Sequence, residues 1–354
     1  MAVLKPQAAP EPTAAQAEAE ADRLTAKGLA DMGWRDEELL RAARLTWKIN
    51  HLKRATKSIL PAHVYQRAEI LLGVADLVGD SYKLAKLCAE SDARRIVFCG
   101  VRFMAETAKI LNPEKEVLLP APEAGCSLSE SITAADVRAL RRKHPGAPVA
   151  AYINTSAAVK AEVDVIVTSA NAPKILRKLF ETSPKVIFVP DKMMGRNLAQ
   201  ELGKTLGAEL VVWDGSCLVH DNFDAASVDF YRKMYPGVKI LAHFECSPGL
   251  VSVVDYIGGT GDMMDWVAGH KAPSYMLITE CGLGDLARSR FPDKTFVPMC
   301  RLCPHMKAVD LSRILRALER PFASQRVEVP AALRERARRP IERMFELAED
   351  RASS

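Results

Sequence analysis

A pattern that occurs three times along these 354 residues constrains the fold more than any other feature. The segments VADLVGDS, EVDVIVTS and VVDYIGGT end at Ser81, Ser169 and Thr260, and in each an aspartate (Asp76, Asp164, Asp255) stands five residues before the hydroxyl. Between them lies a short, mostly apolar run, the length of a buried parallel strand. A helical pattern follows in each: YKLAKLCAE, ANAPKILRKLF and GDMMDWVAGH. About a dozen residues before each aspartate, the strand-like pieces ILPAHVY, VAAYIN and ILAHFE end in polar groups. They align His63 with Tyr152 and His243, and Tyr65 with Asn154 and Glu245. Downstream comes another strand and helix, and each copy closes on a cysteine: Cys126, Cys217 and Cys303. From Asp76, Asp164 and Asp255 these cysteines lie 50, 53 and 48 residues on.

Strands alternating with helices at such intervals predict an α/β fold of three similar small three-layer α/β/α domains with parallel sheets. The expected division is a poorly ordered tail with helical tendency over 1–33, then copies over 34–146, 147–235 and 236–354, the last with C-terminal helices. Parallel α/β units place ligands at the carboxyl ends of their strands. Around a pseudo-threefold axis, each copy offers polar side chains, a hydroxyl and a cysteine to one centre.

Composition narrows the setting. Hydrophobic residues make up 48% and charged residues 26%, the proportions of a globular protein. No apolar run approaches the roughly 20 residues of a membrane helix, so no membrane is expected. The start, MAVLKPQAAPEPTAAQAEAEADRL, lacks an apolar signal core and carries acidic residues that transit peptides avoid. The expectation is therefore a cytoplasmic protein. Net charge is only +5. The amphipathic segment 34–57 has a basic end but no aromatic–basic interleaving or reader motif, so no nucleic acid is expected. The eight cysteines should then be thiols, metal ligands or catalytic groups, not a disulfide framework.

Three converging thiolates bind three irons of a cubane and leave the fourth open, a Lewis acid that assists loss of water. Zinc is the competing reading, with one cysteine per copy plus a histidine, and His220 stands three residues after Cys217. Cys300 and Cys303 form a C-x-x-C pair, which alone reads as redox-active or as half a zinc knuckle. The repeat singles out Cys303 and leaves Cys300 as a neighbouring thiol. Cys88 and Cys99 lie in apolar patterns and read as packing; Cys246 and Cys281 sit beside loop ends and read as structural. His63 and His243 stand apart from the other histidines because they occupy equivalent positions at strand ends. Ser81, Ser169 and Thr260 each precede a helix, so each is either an N-cap or part of an anion site.

Beyond the repeat, ILPAHVYQ, VADLVGDSYKLAK, FCGVRFMAETAKILNPEKEVLLP, AGCSL, AYINTSAAVKA, TSANA, ILAHFECSP, TECGL and CPHM resemble, in order, the quinolinate synthases, from about residue 45 to 345. The resemblance implies a triangular arrangement of three α/β domains with a central [4Fe–4S] cluster held by Cys126, Cys217 and Cys303. It implies condensation of iminoaspartate with dihydroxyacetone phosphate to quinolinate, the precursor of NAD, with an L-aspartate oxidase as transient supplier. It also implies roles: His63 and His243 bind substrate oxygens. Tyr152, Asn154, Ser169, Ser81 and Thr260 read carboxylates and phosphate, and Tyr65 and Glu245 form the proton-transfer pair. Two departures bear on the pocket: WDGSC carries Ser216 where an aromatic residue is frequent, and GGTGD carries Gly259 and Gly261 where G-S-T-S is common. The rival readings are an aconitase-like hydro-lyase, which needs no ketose-phosphate site, and a non-catalytic iron–sulfur sensor of nucleic acid.

Overall fold

The computed structural model describes residues 8–349. Its contacts divide the chain into two compact units, one of 1–125, 281–293 and 302–328, the other of 126–280, 294–301 and 329–354. Every strand pairing within its named sheets is parallel, so the α/β class expected from the sequence is the one observed.

In the first unit the strands are β1 (Ser58–Ile59), β2 (Pro61–His63), β3 (Leu77–Gly79), β4 (Arg95–Val97) and β5 (Glu116–Leu118). β1 and β2 are successive pieces of one line of chain: β1 pairs with β4, which pairs with β5, while β2 pairs with β3 and bridges to Cys99 just past β4. The second unit holds two sheets. One comprises β6 (Val149–Tyr152), β7 (Val165–Val167), β8 (Val186–Val189) and β9 (Leu210–Val212), in the order β7-β6-β8-β9. The other comprises β10 (Lys239–His243), β11 (Tyr256–Gly258) and β12 (Tyr275–Ile278), in the order β11-β10-β12, with Phe296 bridged to Tyr275 beyond β12.

One strand order thus recurs: the first strand of each copy lies between the second and the third. Successive crossovers leave the first strand in opposite directions, which opens a crevice at its carboxyl end. The strands are short, and the runs VAAY, VIFV and YMLI are buried on both faces, as their unbroken apolar character requires.

The repeated aspartates explain why the pattern is so regular. Asp76, Asp164 and Asp255 each accept, through Oδ2, from the backbone N–H of Leu60, Val149 and Ile240, at 2.8, 2.7 and 3.0 Å. Their own N–H groups return bonds to the same three residues' carbonyls at 2.9, 3.0 and 2.8 Å. A cation flanks each: Lys53 at 2.6 Å, Arg141 at 2.8 Å and Lys239 at 2.9 Å. The aspartate latches the start of the second strand to the start of the first, and so sets the register that places the functional ends side by side.

Within residues 1–33 the structure has a helix, Ala14–Ala26, started by a Thr13–Gln16 capping box and burying Ala17 and Leu24. It packs on the helix Asp36–Ala55. Residues 1–7 lie outside the described residues. The last helix, Ala331–Ala348, packs on β7 and on the helix Ala172–Thr182. Among the described residues no helix is long and apolar enough to cross a membrane.

Candidate active site

In the first unit, His63 ends β2 and is 6% exposed. Its Nδ1 accepts from the Tyr65 N–H at 3.2 Å, and the two rings meet edge-on with centroids 4.6 Å apart. The loop that carries them is lashed to the short helix Pro304–Lys307, whose N-cap residue is Cys303. Gln66 Nε2 donates to the Met306 carbonyl at 3.0 Å, Lys307 Nζ to the Tyr65 carbonyl at 2.7 Å, and Arg67 Nη2 to the Lys307 carbonyl at 2.8 Å. His63, Tyr65 and Cys303 are therefore parts of one rigid corner. Ser81 opens the helix Ser81–Glu90 at the end of β3.

The second unit builds its site around Glu245, two residues past the end of β10 and 4% exposed. Tyr152, at the end of β6, donates from Oη to Glu245 Oε1 at 2.6 Å. His220 Nδ1 lies 3.1 Å from Glu245 Oε2 and 3.3 Å from Cys217 Sγ, and its Nε2 lies 3.0 Å from Thr279 Oγ1. The His220 ring stacks on His243, with centroids 4.5 Å apart. His243 Nδ1 accepts from the Glu245 N–H at 3.3 Å, the same contact His63 makes with Tyr65. Asn197 holds the main chain on both sides of Glu245: its Nδ2 donates to the Phe244 and Cys246 carbonyls, each at 2.9 Å. Asn197 can reach because Gly195 lets its helix, Lys192–Leu202, press on the sheet; a Cβ there would lie 2.5 Å from Val212 Cγ1.

Ser127 joins the two cysteine loops of this unit. Its hydroxyl donates to the Ser216 carbonyl and accepts from the Leu218 N–H, both at 3.1 Å, so Cys126 is held beside the chain that carries Cys217. Gly215 permits the close approach, since a Cβ there would stand 2.5 Å from the Pro190 carbonyl and 2.4 Å from Ser131 Oγ.

The electrostatics follow from burial. Burial opposes ionisation of Glu245, but the pull of His220 and the hydrogen bonds from His220 and Tyr152 outweigh it and hold the carboxyl well below the usual range. Burial, helped by the neighbouring His220, pushes His243 down to about 3, so its imidazole is neutral. His243 therefore adds no charge to Glu245 at neutral pH. The Cys217 thiol is pushed far up by burial, then by Glu245 and Cys126. Asp191, wholly buried, is likewise pushed well up by burial and by Glu245.

Ser81, Ser169 and Thr260 do not act as helix caps. The capping side chain ahead of Ser81 is Asp80, which accepts from the Lys83 N–H at 2.9 Å. Gly259 is the N-cap ahead of Thr260, and Asn171 is the N-cap of the helix that follows Ser169. The hydroxyls are thereby left for other partners. Thr260 Oγ1 is buried without a hydrogen bond, and so are Thr168 Oγ1 and Asn171 Nδ2 beside Ser169. Buried polar atoms of this kind mark places that a bound molecule or water completes. Gly259 matters here: a Cβ on it would stand 2.6 Å from Ser169 Oγ, so the glycine lets the two loops touch.

Comparison with known proteins supplies the family. The family model described as quinolinate synthetase A protein matches residues 47–346. This chain belongs to that family. Among its relatives, a quinolinate synthase of Xylella fastidiosa (strain Temecula1 / ATCC 700964) is 46% identical over 297 residues, covering 84% of this chain and 85% of the relative. Quinolinate synthase 1 of Mesorhizobium japonicum is 45% identical, covering 84% and 89%. The quinolinate synthase of Caulobacter vibrioides is 41% identical over 318 residues, covering 89% and 84%. The chain is accordingly an enzyme of the quinolinate synthase type.

For a quinolinate synthetase A protein, the donors present suit a metal centre. Cys126 lies near enough to disfavour ionisation of the Cys217 thiol, and a buried thiol raised as Cys217 is becomes a thiolate when a cation binds it. Cys217, His220 and Glu245 also offer sulfur, nitrogen and oxygen atoms within 4.8 Å of one another, a set that could hold a metal ion. Cys88 and Cys99 are buried, and burial pushes Cys88 up to about 12 and Cys99 further, which makes both inert. The expectation of thiols and ligands in place of a disulfide framework takes one correction, since Cys281 and Cys300 are disulfide-bonded. Their neighbours Glu280 and Arg301 form a parallel bridge, a long-range pairing that sequence spacing does not reveal.

Sequence reasoning valued His220 only as a zinc ligand and passed over Asn197, Asp191 and Thr279. Their signal in the sequence was slight: single polar residues inside otherwise apolar strand and helix patterns.

Proposed function

We propose that this enzyme condenses iminoaspartate with dihydroxyacetone phosphate to form quinolinate, with loss of phosphate and water, in de novo NAD biosynthesis in the cytoplasm. A transient supply of iminoaspartate by an L-aspartate oxidase fits the instability of that imine in water. The observation that carries the reading is Glu245, a buried carboxylate kept ionised between Tyr152 Oη and His220 Nδ1, beside Cys217 Sγ.

Each role has a physical basis in the chain. His63 and His243 accept a backbone N–H at Nδ1, so their neutral rings carry the proton on Nε2 and present it to substrate oxygens. Glu245 takes a proton from carbon and returns it to a leaving hydroxyl, with Tyr65 as its partner in proton transfer. Tyr152, Asn154, Ser81, Ser169 and Thr260 read the carboxylates and the phosphate, and the unpartnered Thr260 hydroxyl is suited to an anionic oxygen. In this reading the copies at 34–146, 147–235 and 236–354 face a common pseudo-threefold centre, where Cys303 joins Cys126 and Cys217 as ligands of a [4Fe–4S] cluster. When bound, the cluster supplies an open iron that polarises a substrate oxygen and eases dehydration.

The test is an oxygen-free preparation assayed for iron, sulfide and quinolinate formation. Cys126→Ala, Cys217→Ala and Cys303→Ala should each lose cluster and activity, whereas Cys88→Ala and Cys99→Ala keep both. A Cys217→Ala protein with a full iron load would overturn the ligand assignment.

A further inference from the structure

Lys160 ends the short helix Ala157–Lys160 and is fully buried. Taking an ammonium out of water is costly, and a methionine would fill the same space without that cost. The charge is explained by what it bonds. Its Nζ donates to the Ile153 carbonyl at 2.8 Å and to the Thr155 carbonyl, and lies 3.5 Å from Thr155 Oγ1. These two carbonyls stand on either side of Asn154.

The chain at Asn154 needs such a tie. The Thr155 N–H donates to the Ile153 carbonyl at 2.8 Å and closes a three-residue turn with Asn154 at its apex. Within 151–155, Asn154 alone is not buried, so it is the residue of this stretch that a ligand can reach. Thr155 Oγ1 donates to the Tyr152 carbonyl at 3.1 Å and joins Tyr152 to the same turn. Ser156 then caps the helix, accepting from the Val159 N–H at 3.3 Å, so the element that carries Lys160 begins where the turn ends.

The equivalent positions in the other two copies are held in a similar way. Asn197 donates to the carbonyls on either side of Glu245, and Lys307 Nζ donates to the Tyr65 carbonyl at 2.7 Å and the Gln66 carbonyl at 3.3 Å. The three donors do not correspond in the repeat. Asn197 comes from the helix Lys192–Leu202, Lys307 from the helix Pro304–Lys307, and Lys160 from the helix directly after its own turn. A contact inherited with the repeat would come from one place in every copy. What recurs instead is the holding of the main chain two residues past the strand end.

We propose that Lys160 is a positioning residue for Asn154: its ammonium locks the turn and so fixes how the Asn154 amide meets an anionic group of the substrate. The proposal rests on the reading of Asn154 as a substrate-binding residue. Loosening a group that binds ground state and transition state alike raises KM and leaves kcat nearly unchanged.

The experiment is a double-mutant cycle on the anaerobic holoenzyme with Lys160→Met, Asn154→Ala and the pair together, with the KM of each substrate, kcat and iron content measured for every protein. N154A should raise the KM of one substrate roughly ten- to hundredfold. K160M should raise the KM of that same substrate about tenfold, with kcat within about threefold of wild type and iron content unchanged. In the double variant that KM should lie within about twofold of N154A alone, because a lysine that acts through Asn154 has nothing left to position. A purely structural lysine would lower iron content or kcat, or its effect would multiply with that of N154A, and either result overturns the proposal. A wild-type KM in K160M overturns it as well. If K160M does not accumulate as folded holoenzyme, Lys160→Gln, neutral and one bond shorter, enters the cycle in its place with the same outcomes. An N154A enzyme with wild-type KM for both substrates would instead refute the reading of Asn154 itself.

Discussion

Replacing Tyr152 by phenylalanine deletes one oxygen atom from the site and leaves the ring in place. That oxygen lies 2.6 Å from Glu245 Oε1, and both side chains are buried, so no solvent replaces the lost donor. A hydrogen bond to a charged group contributes about 1.5–3 kcal/mol. Since about 1.36 kcal/mol is tenfold in an ionisation constant, the substitution should make Glu245 a weaker acid by roughly ten- to hundredfold. The sign then follows by linkage. Glu245 is held below its ordinary value, so its stabilising contribution is present above the unfolded-state value and is lost as pH falls through the folded one. Tyr152→Phe brings the folded value back towards ordinary, and the variant should be less stable by about 1.5–3 kcal/mol at neutral pH. The deficit should stay constant down to the ordinary glutamate range and narrow only below it. Denaturant unfolding of both proteins at pH near 7 and near 5 measures this. Equal stabilities, or a deficit that has vanished by the higher-pH edge of the glutamate range, would refute an ionised Glu245 bonded by Tyr152.

Two further outcomes can be checked by unfolding. Asp191 is held above its ordinary value, so the stability linked to its protonation is lost as pH rises through the folded value. Asp191→Asn keeps an oxygen to accept from the Met193 and Met194 N–H groups, and its melting temperature should gain on the wild type between mildly acidic and alkaline pH, with iron content unchanged. In the first unit, Arg95 is almost wholly buried and bonds Glu116 through Nε at 2.7 Å. Glu116→Ala should cost about 3–5 kcal/mol in denaturant unfolding, because it leaves a buried guanidinium without its counter-ion. A loss within experimental error would show that the Leu318 carbonyl, 3.2 Å from Arg95 Nη1, suffices.

Much of the fold was legible because the repeated features are local. The alternation of apolar strands and helices fixes the α/β class, and the aspartate before each hydroxyl is now seen to latch neighbouring strands in all three copies. The placement of the polar pairs His63–Tyr65, Tyr152–Asn154 and His243–Glu245 was legible too: His63, Tyr152 and His243 end their strands, and their partners lie two residues beyond. The hydroxyls were harder to read. A serine or threonine before a helix looks like a cap, and only the backbone shows that Asp80 and Gly259 hold those positions instead.

What the sequence by itself determined is therefore the class of fold, the family and the residues at each strand end, since each depends on a short pattern that the chain carries wherever it folds. Tertiary structure alone decided how Glu245 is held. Tyr152 and His220 bond its carboxylate, Asn197 bonds the main chain on either side of it and Thr279 bonds His220, from four separate stretches of chain, and the disulfide-bonded Cys281 and Cys300 flank a pairing that exists only after folding. The reason is physical: hydrogen bonds act over about 3 Å of space and carry no trace of sequence separation.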